Sequence, residues 1–200
     1  RLLVKGGYQK DSVECVQAKK VKKKLPQVAV SFRMEGGKEK VNCRECLNRV
    51  MIDFDAKNPG ELLPSEELER VITIMRTSYH AEIGCRSISG LGYHIVVPFI
   101  LPEGITIDLA TDFERGEAIF KRVHKFISNM YGVWCGHQMD PECSNINRMM
   151  GLGYDPEAVY RPDARPVRLS RQESKIGRAV QQACRSSCHV SISALTTRAT

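Results

Sequence analysis

The chain has 200 residues, 42% of them hydrophobic and 26% charged, with a net charge of +7 and eight cysteines. That length supports one sizeable core, or a main domain with a small appendage, and the balance is that of an ordinary soluble globular protein. No stretch approaches the roughly 20 apolar residues that cross a bilayer, and no signal-type apolar segment opens the chain, so neither membrane insertion nor secretion is expected.

A chain opening on Arg1 is expected to be a fragment or a processed protein. Residues 11–24 read as a helix with Asp11 or Ser12 as N-cap and Pro26 beyond its end. Its end carries Lys19, Lys20, Lys22, Lys23 and Lys24, five lysines in six positions. Such a cluster binds phosphate through counterion release, and it equally suits a solvated helix end. The run QVAVSFRM (27–34) predicts a strand, EGGKEK a turn, and NRVMIDFD (48–55) a second strand. A helix capped by Ser65 is predicted over 65–79. The glycine-rich turn SISGLG leads into the alternating strand GYHIVVPFI. In DFERGEAIFKRVHKFISNMYG, Phe113, Phe120, Val123, Ile127 and Met130 share one helical face, and the helix is predicted to end at Gly132. The Pro-, Gly- and Asn-rich segment after Gln138 predicts loop with one or two short strands, and beyond Leu169 a helix and a polar tail. Without a regular βαβ rhythm, the expected class is α+β with helices on one face of a sheet. Residues 1–169 form the expected domain and 170–200 a linker or tail.

Eight cysteines in a chain of this size without a secretory signal suggest reduced thiols and a cytoplasmic location. Cys43 and Cys46 make half a zinc knuckle, and Cys184, Cys188 and His189 another half, but the second spacing is irregular. Unconnected cysteines are the expected reading, and a zinc site built from Cys43, Cys46, Cys135, His137 and Cys143 stays open.

Three stretches carry candidate chemistry. Asp53 and Asp55 end a strand at alternate positions, so they share a face with Cβ atoms about 6 to 7 Å apart. Two carboxylates at that spacing suit a hard cation, while a strand running into a loop produces the same pattern. In SISGLGYHIVV, the turn residues Ser87, Ser89, Gly90 and Gly92 offer backbone N–H groups to a phosphate. His94 follows on the face opposite Tyr93, Ile95 and Val97; a hairpin with a half-exposed histidine is the plainer alternative. In MDPECSNINRMMGL, Asp140 is a possible third carboxylate and Arg148 a phosphate or base contact, against an Asp-Pro turn and a surface arginine.

The order of these stretches resembles the archaeo-eukaryotic primase superfamily. Most similar is the VirE-type N-terminal domain, a primase-like module of bacterial mobile elements known from Bacteroides-like genomes. The resemblance spans most of residues 20–168 and rests on IDFD, S-x-S-G-x-G-x-H and R-x-x-G-L-x-Y-D-P. It implies a primase-polymerase core, an RRM-like antiparallel sheet beside a small N-terminal αβ unit. It implies that Asp53, Asp55 and Asp140 hold Mg²⁺ or Mn²⁺. His94 with Ser89 would hold the triphosphate of an incoming nucleotide, Arg148 would contact nucleotide or template, and the lysines would follow the template backbone.

The expected reaction is two-metal nucleotidyl transfer from nucleoside triphosphates on a single-stranded DNA template. Removing a metal ligand is expected to abolish transfer and spare the fold, because these acids read as non-core. No G-x-x-x-x-G-K-[S/T] motif is present, so unwinding would fall to a helicase or NTPase domain or partner. Two other readings remain open: a non-catalytic module binding single-stranded nucleic acid or a replication partner, and a metal-dependent nuclease.

Overall fold

The computed structural model describes residues 13–22, 24–55, 63–88, 92–137 and 141–172. The elements in chain order are α1 (Val13–Lys22), β1 (Gln27–Val28), β2 (Phe32–Met34), β3 (Cys43–Cys46), β4 (Arg49–Phe54), α2 (Ser65–Thr77), β5 (Ile83–Arg86) and β6 (Tyr93–Ile100). They continue with α3 (Phe113–Cys135), β7 (Met150–Gly151), β8 (Val159–Tyr160) and β9 (Val167–Arg168). The class is mixed α+β with antiparallel sheets.

The main sheet runs β4-β6-β5-β8, all antiparallel, and β9 pairs in parallel with the end of β6. On one face Val50, Ile52 and Phe54 of β4 and Tyr93, Ile95, Val97 and Phe99 of β6 join Val71 and Met75 of α2 and Phe120, Val123 and Ile127 of α3. The other face puts Met51 and Val96 under Val30, Cys143 and Met150. Burial on both faces explains why β4 and β6 read as almost continuous apolar runs.

β4 is the sheet's edge, and α3 covers it: the buried His124 donates from Nε2 to the Met51 carbonyl at 3.0 Å. On the ring's other side, His124 Nδ1 and Ser128 Oγ share a hydrogen bond at 3.3 Å. The bond to Met51 ties down the strand two residues before Asp53.

Four local expectations are corrected. The run 27–34 is two strands, because β1 pairs with β7 and β2 with β3. Pro64, not Ser65, holds the N-cap position of α2, and Ser65 is its first helical residue. Helix α3 passes through Gly132 to Cys135, since Tyr131 and Cys135 complete its buried face; Gly136, at φ 67°, caps it. Strand β5 was not anticipated. Of the expected tail, residues 173–200 lie outside the described residues. No described helix is long and apolar enough to cross a membrane.

Candidate functional site

Register builds the site. Asp53 on β4 lies directly across from His94 on β6, and His94 across from Cys85 on β5. The Phe99 N–H donates to the Asn48 carbonyl, and counting along the ladder from there makes Asp53 and His94 a non-hydrogen-bonded pair, the kind whose side chains approach most closely. His94 Nε2 is 3.3 Å from Asp53 Oδ1. From the loop before β7, Arg148 Nη2 reaches Asp53 Oδ2 at 3.2 Å, and the Cys143 thiol is 3.8 Å from the same oxygen. Three stretches singled out separately in the sequence thus meet at one carboxylate.

Asp53 is buried, which corrects the expectation that it stands outside the core. The contact with His94 is an ion pair without hydrogen-bond alignment, so Asp53 Oδ1 lacks a hydrogen-bond partner, as does His94 Nδ1. Burial pushes the Asp53 pKa up, but the neighbouring His94 and Arg148 more than offset it and hold it below its usual value. For His94, burial favours the neutral ring, yet Asp53, with Cys85 beside it, pushes the pKa up to about 9. The Asp53 carboxylate is thus flanked by two cationic side chains, groups of the kind that bind phosphate oxygens.

His94, raised above its ordinary value of 6.5, lends stability that is full below that value and fades as pH rises toward about 9. Asp53, lowered from 3.8, lends stability that is full above that value and fades as the solution is acidified below it. Melting temperature measured from about pH 6 to about pH 9.5 should fall more steeply for the native chain than for His94→Gln. Parallel slopes would show that the ion pair does not form.

The Ser/Gly turn is closed by its own ends. Ser87 N–H donates to the Gly92 carbonyl at 2.8 Å, and Gly92 N–H donates to Ser87 Oγ at 3.2 Å. Gly92 also packs on the end of β4: a Cβ there would stand 2.0 Å from Asp55 Oδ1 and 2.5 Å from the Phe54 carbonyl oxygen. Asp55 itself is exposed, one residue past the strand. The run R-x-x-G-L-x-Y-D-P clamps the turn's far side, with Asp155 accepting from the Arg86 N–H at 2.7 Å and Gly151 packed on Ile88. Ser89, Gly90, Asp140 and Lys23 lie outside the described residues, as do Cys184, Cys188 and His189. Lys20 and Lys24 are exposed, and Lys19 and Lys22 belong to α1.

Sequence reasoning missed Cys85, weighed Cys143 only for an open zinc site, and gave Asp155 no role of its own within its motif. Asp155 had a signal, an Asp-Pro pair that commonly binds nearby backbone N–H groups. Neither thiol had a signal that placed it beside Asp53 or His94. Among the other described thiols, Cys43 donates to the Ile146 carbonyl, while burial pushes Cys46 up to about 11 and Cys135 up to about 12. His137 Nδ1 donates to Glu67 at 2.9 Å.

Among the described residues, no three His, Cys, Asp or Glu side chains cluster to hold a metal ion. Two hard carboxylates nevertheless suffice for a Mg²⁺ that also binds substrate phosphates. Asp53, with a buried oxygen lacking a hydrogen bond, and the exposed Asp55 fit that more modest requirement.

Fold and site together define an α+β domain with a compact acid–histidine–arginine centre on the sheet face away from the long helices. Residues 20–160 match the family described as BT4734-like, N-terminal domain, and the chain belongs to that family. Neither a curated protein nor a solved structure matches it.

Proposed function

We propose that the chain is a primase-polymerase-like nucleotidyltransferase domain, similar to the VirE-type N-terminal domain of mobile-element replication proteins. The observation that carries this reading is the meeting of Asp53, His94 and Arg148 within 3.3 Å, drawn from positions as much as 95 residues apart. In this reading the sheet β4-β6-β5-β8 is an RRM-like primase core, and α1 with β1–β3 is the small N-terminal unit.

Arg148 offers a planar fork to phosphate oxygens, and His94 a second cation held rigidly by its strand. Asp53, Asp55 and Asp140 would hold Mg²⁺ or Mn²⁺, which when bound activates the attacking hydroxyl and offsets charge on the leaving group. A primer 3′-oxygen forms the new bond to the α-phosphorus of the nucleoside triphosphate, the α–β bridging bond breaks, pyrophosphate departs, and the hydroxyl proton goes to solvent. Lys19, Lys20, Lys22, Lys23 and Lys24 would follow the template backbone, and a helicase or NTPase would supply the single strand.

Incubation with Mn²⁺, a primed single-stranded template and labelled nucleotides should give extension by the native chain and none by Asp53→Ala or His94→Ala. A folded native chain that never extends the primer would refute the catalytic reading.

A second reading, a non-catalytic module for single-stranded nucleic acid, draws on a different observation. Tyr154, 93% exposed on the loop clamped to the Ser/Gly turn, and the exposed Tyr160 present faces on which bases stack. Oligonucleotide binding measured by fluorescence anisotropy in chelator, and surviving Asp53→Ala, would favour it.

A further inference from the structure

Arg148 and His94 both neutralise Asp53, but they are not equally able to leave it. His94 is held in the middle of three strands, and its side chain is only 10% exposed. Arg148 approaches from solvent, with its side chain 40% exposed, from a loop turn in which its N–H donates to the Asn145 carbonyl. Its guanidinium is the more exposed of the two cations, and it reaches Asp53 from outside the sheet. Asp53 itself is only 3% exposed, and Arg148 is seated on its Oδ2. A divalent ion arriving at Asp53 meets a positive charge already seated on Oδ2, and like charges at such range repel strongly in a buried site.

We propose that Arg148 is a displaceable counterion, which keeps divalent metal off Asp53 until a tetrahedral oxyanion such as a substrate phosphate draws the guanidinium away. The inference rests on the nucleotide-site reading for the identity of that oxyanion. Metal and phosphate then bind as a coupled pair, each raising the affinity of the other by the same factor. The arginine that would bind substrate would also guard the metal ligand, so the site would load its cation only when phosphate is present.

The test is Mn²⁺ binding by the whole chain, followed by electron paramagnetic resonance of the unbound ion, with no nucleotide or template. R148Q should bind Mn²⁺ at least about tenfold more tightly than the native chain, a fold-change typical of one removed charge contact. R148K, which keeps the charge, should stay near native, and adding D53N to R148Q should erase the gain. On the native chain, which needs no variant to fold, replacing chloride by sulfate at matched ionic strength should tighten Mn²⁺ binding severalfold, and R148Q should not respond. A folded R148Q that binds no more tightly than native, or a native chain indifferent to sulfate, overturns the proposal. Because neither arm uses a primer, template or nucleotide, failure of primer extension would count against the polymerase reading alone.

Discussion

Asp53→Ala should melt about 6–12 °C below the native chain, and Asp55→Ala within about 2 °C of it, although both should abolish extension. The two acids stand one residue apart and look alike in sequence, but they occupy different physical situations. Asp53 is buried, with Arg148, His94 and the Cys143 thiol all within 3.8 Å of its carboxylate. It therefore joins β4, β6, the loop before β7 and the short 3₁₀ turn Pro141–Ser144. Breaking a buried ion pair from one side costs about 3–5 kcal/mol, mostly because the partner's charge stays behind. Here the cost should sit at the lower end, about 3 kcal/mol, because His94 can shed its proton once Asp53 is gone and Arg148 can turn to solvent. Asp53→Asn, which keeps the shape, should fall between. Asp55 is exposed past the end of β4, and replacing a side chain there changes stability by about 0.5 kcal/mol or less. Scanning fluorimetry of the three variants reads this directly. Equal melting temperatures for Asp53→Ala and Asp55→Ala would mean that the ion-paired arrangement around Asp53 contributes nothing.

That difference marks the limit of what was legible in the sequence. The α+β class, the strands containing Asp53 and His94 and the two long helices were legible because each announces itself within its own segment, through period 2 or period 3.6. Asp53, His94 and Arg148 were each singled out by residue type and local pattern. Their meeting was not visible, because register is a relation between segments, and a slip of one residue would put His94 opposite Phe54 or Ile52 instead.

Strand β5 was missed for a related reason. It is four residues long with Gly84 inside, and a glycine in so short a run reads as a breaker. Gly84 is there because Met75 of α2 fills the space a side chain would need: a Cβ would lie 2.0 Å from Met75 Cγ. Losing β5 from the reading also lost Cys85, the third residue in the row with Asp53 and His94. Gly132 misled in the opposite sense. It looked like a helix stop, but burying Tyr131 and Cys135 carries α3 through it to the next glycine, Gly136, whose positive φ makes the actual cap. In each case packing between distant elements overrode a sound local signal.

Gly92→Ala should damage the site as severely as loss of a charged residue, although glycine itself contributes no chemistry. The added Cβ would stand 2.0 Å from Asp55 Oδ1 and 2.5 Å from the Phe54 carbonyl oxygen, both far inside contact distance. Asp55 can rotate its side chain; the Phe54 carbonyl cannot follow, because Phe54 is fully buried and in register with Tyr93. The turn must therefore lift off the end of β4. That movement strains the reciprocal Ser87–Gly92 bonds and shifts the backbone two residues before His94. Overpacking of this kind costs about 1–3 kcal/mol, and with backbone as the obstacle we expect about 3. A shift of about 1 Å in the catalytic groups lowers turnover by about 100-fold, so extension should fall by at least that much. The control is Gly153→Ala, on the loop that clamps the same turn, where a Cβ would meet Ile88 at an ordinary 3.8 Å and stability should hold within about 0.5 kcal/mol. Glycine's backbone freedom is not the issue at position 92; the space beside it is. A Gly92→Ala chain that melts and extends like the Gly153→Ala chain would mean that the turn does not rest on β4, and that Asp55 is positioned by something else.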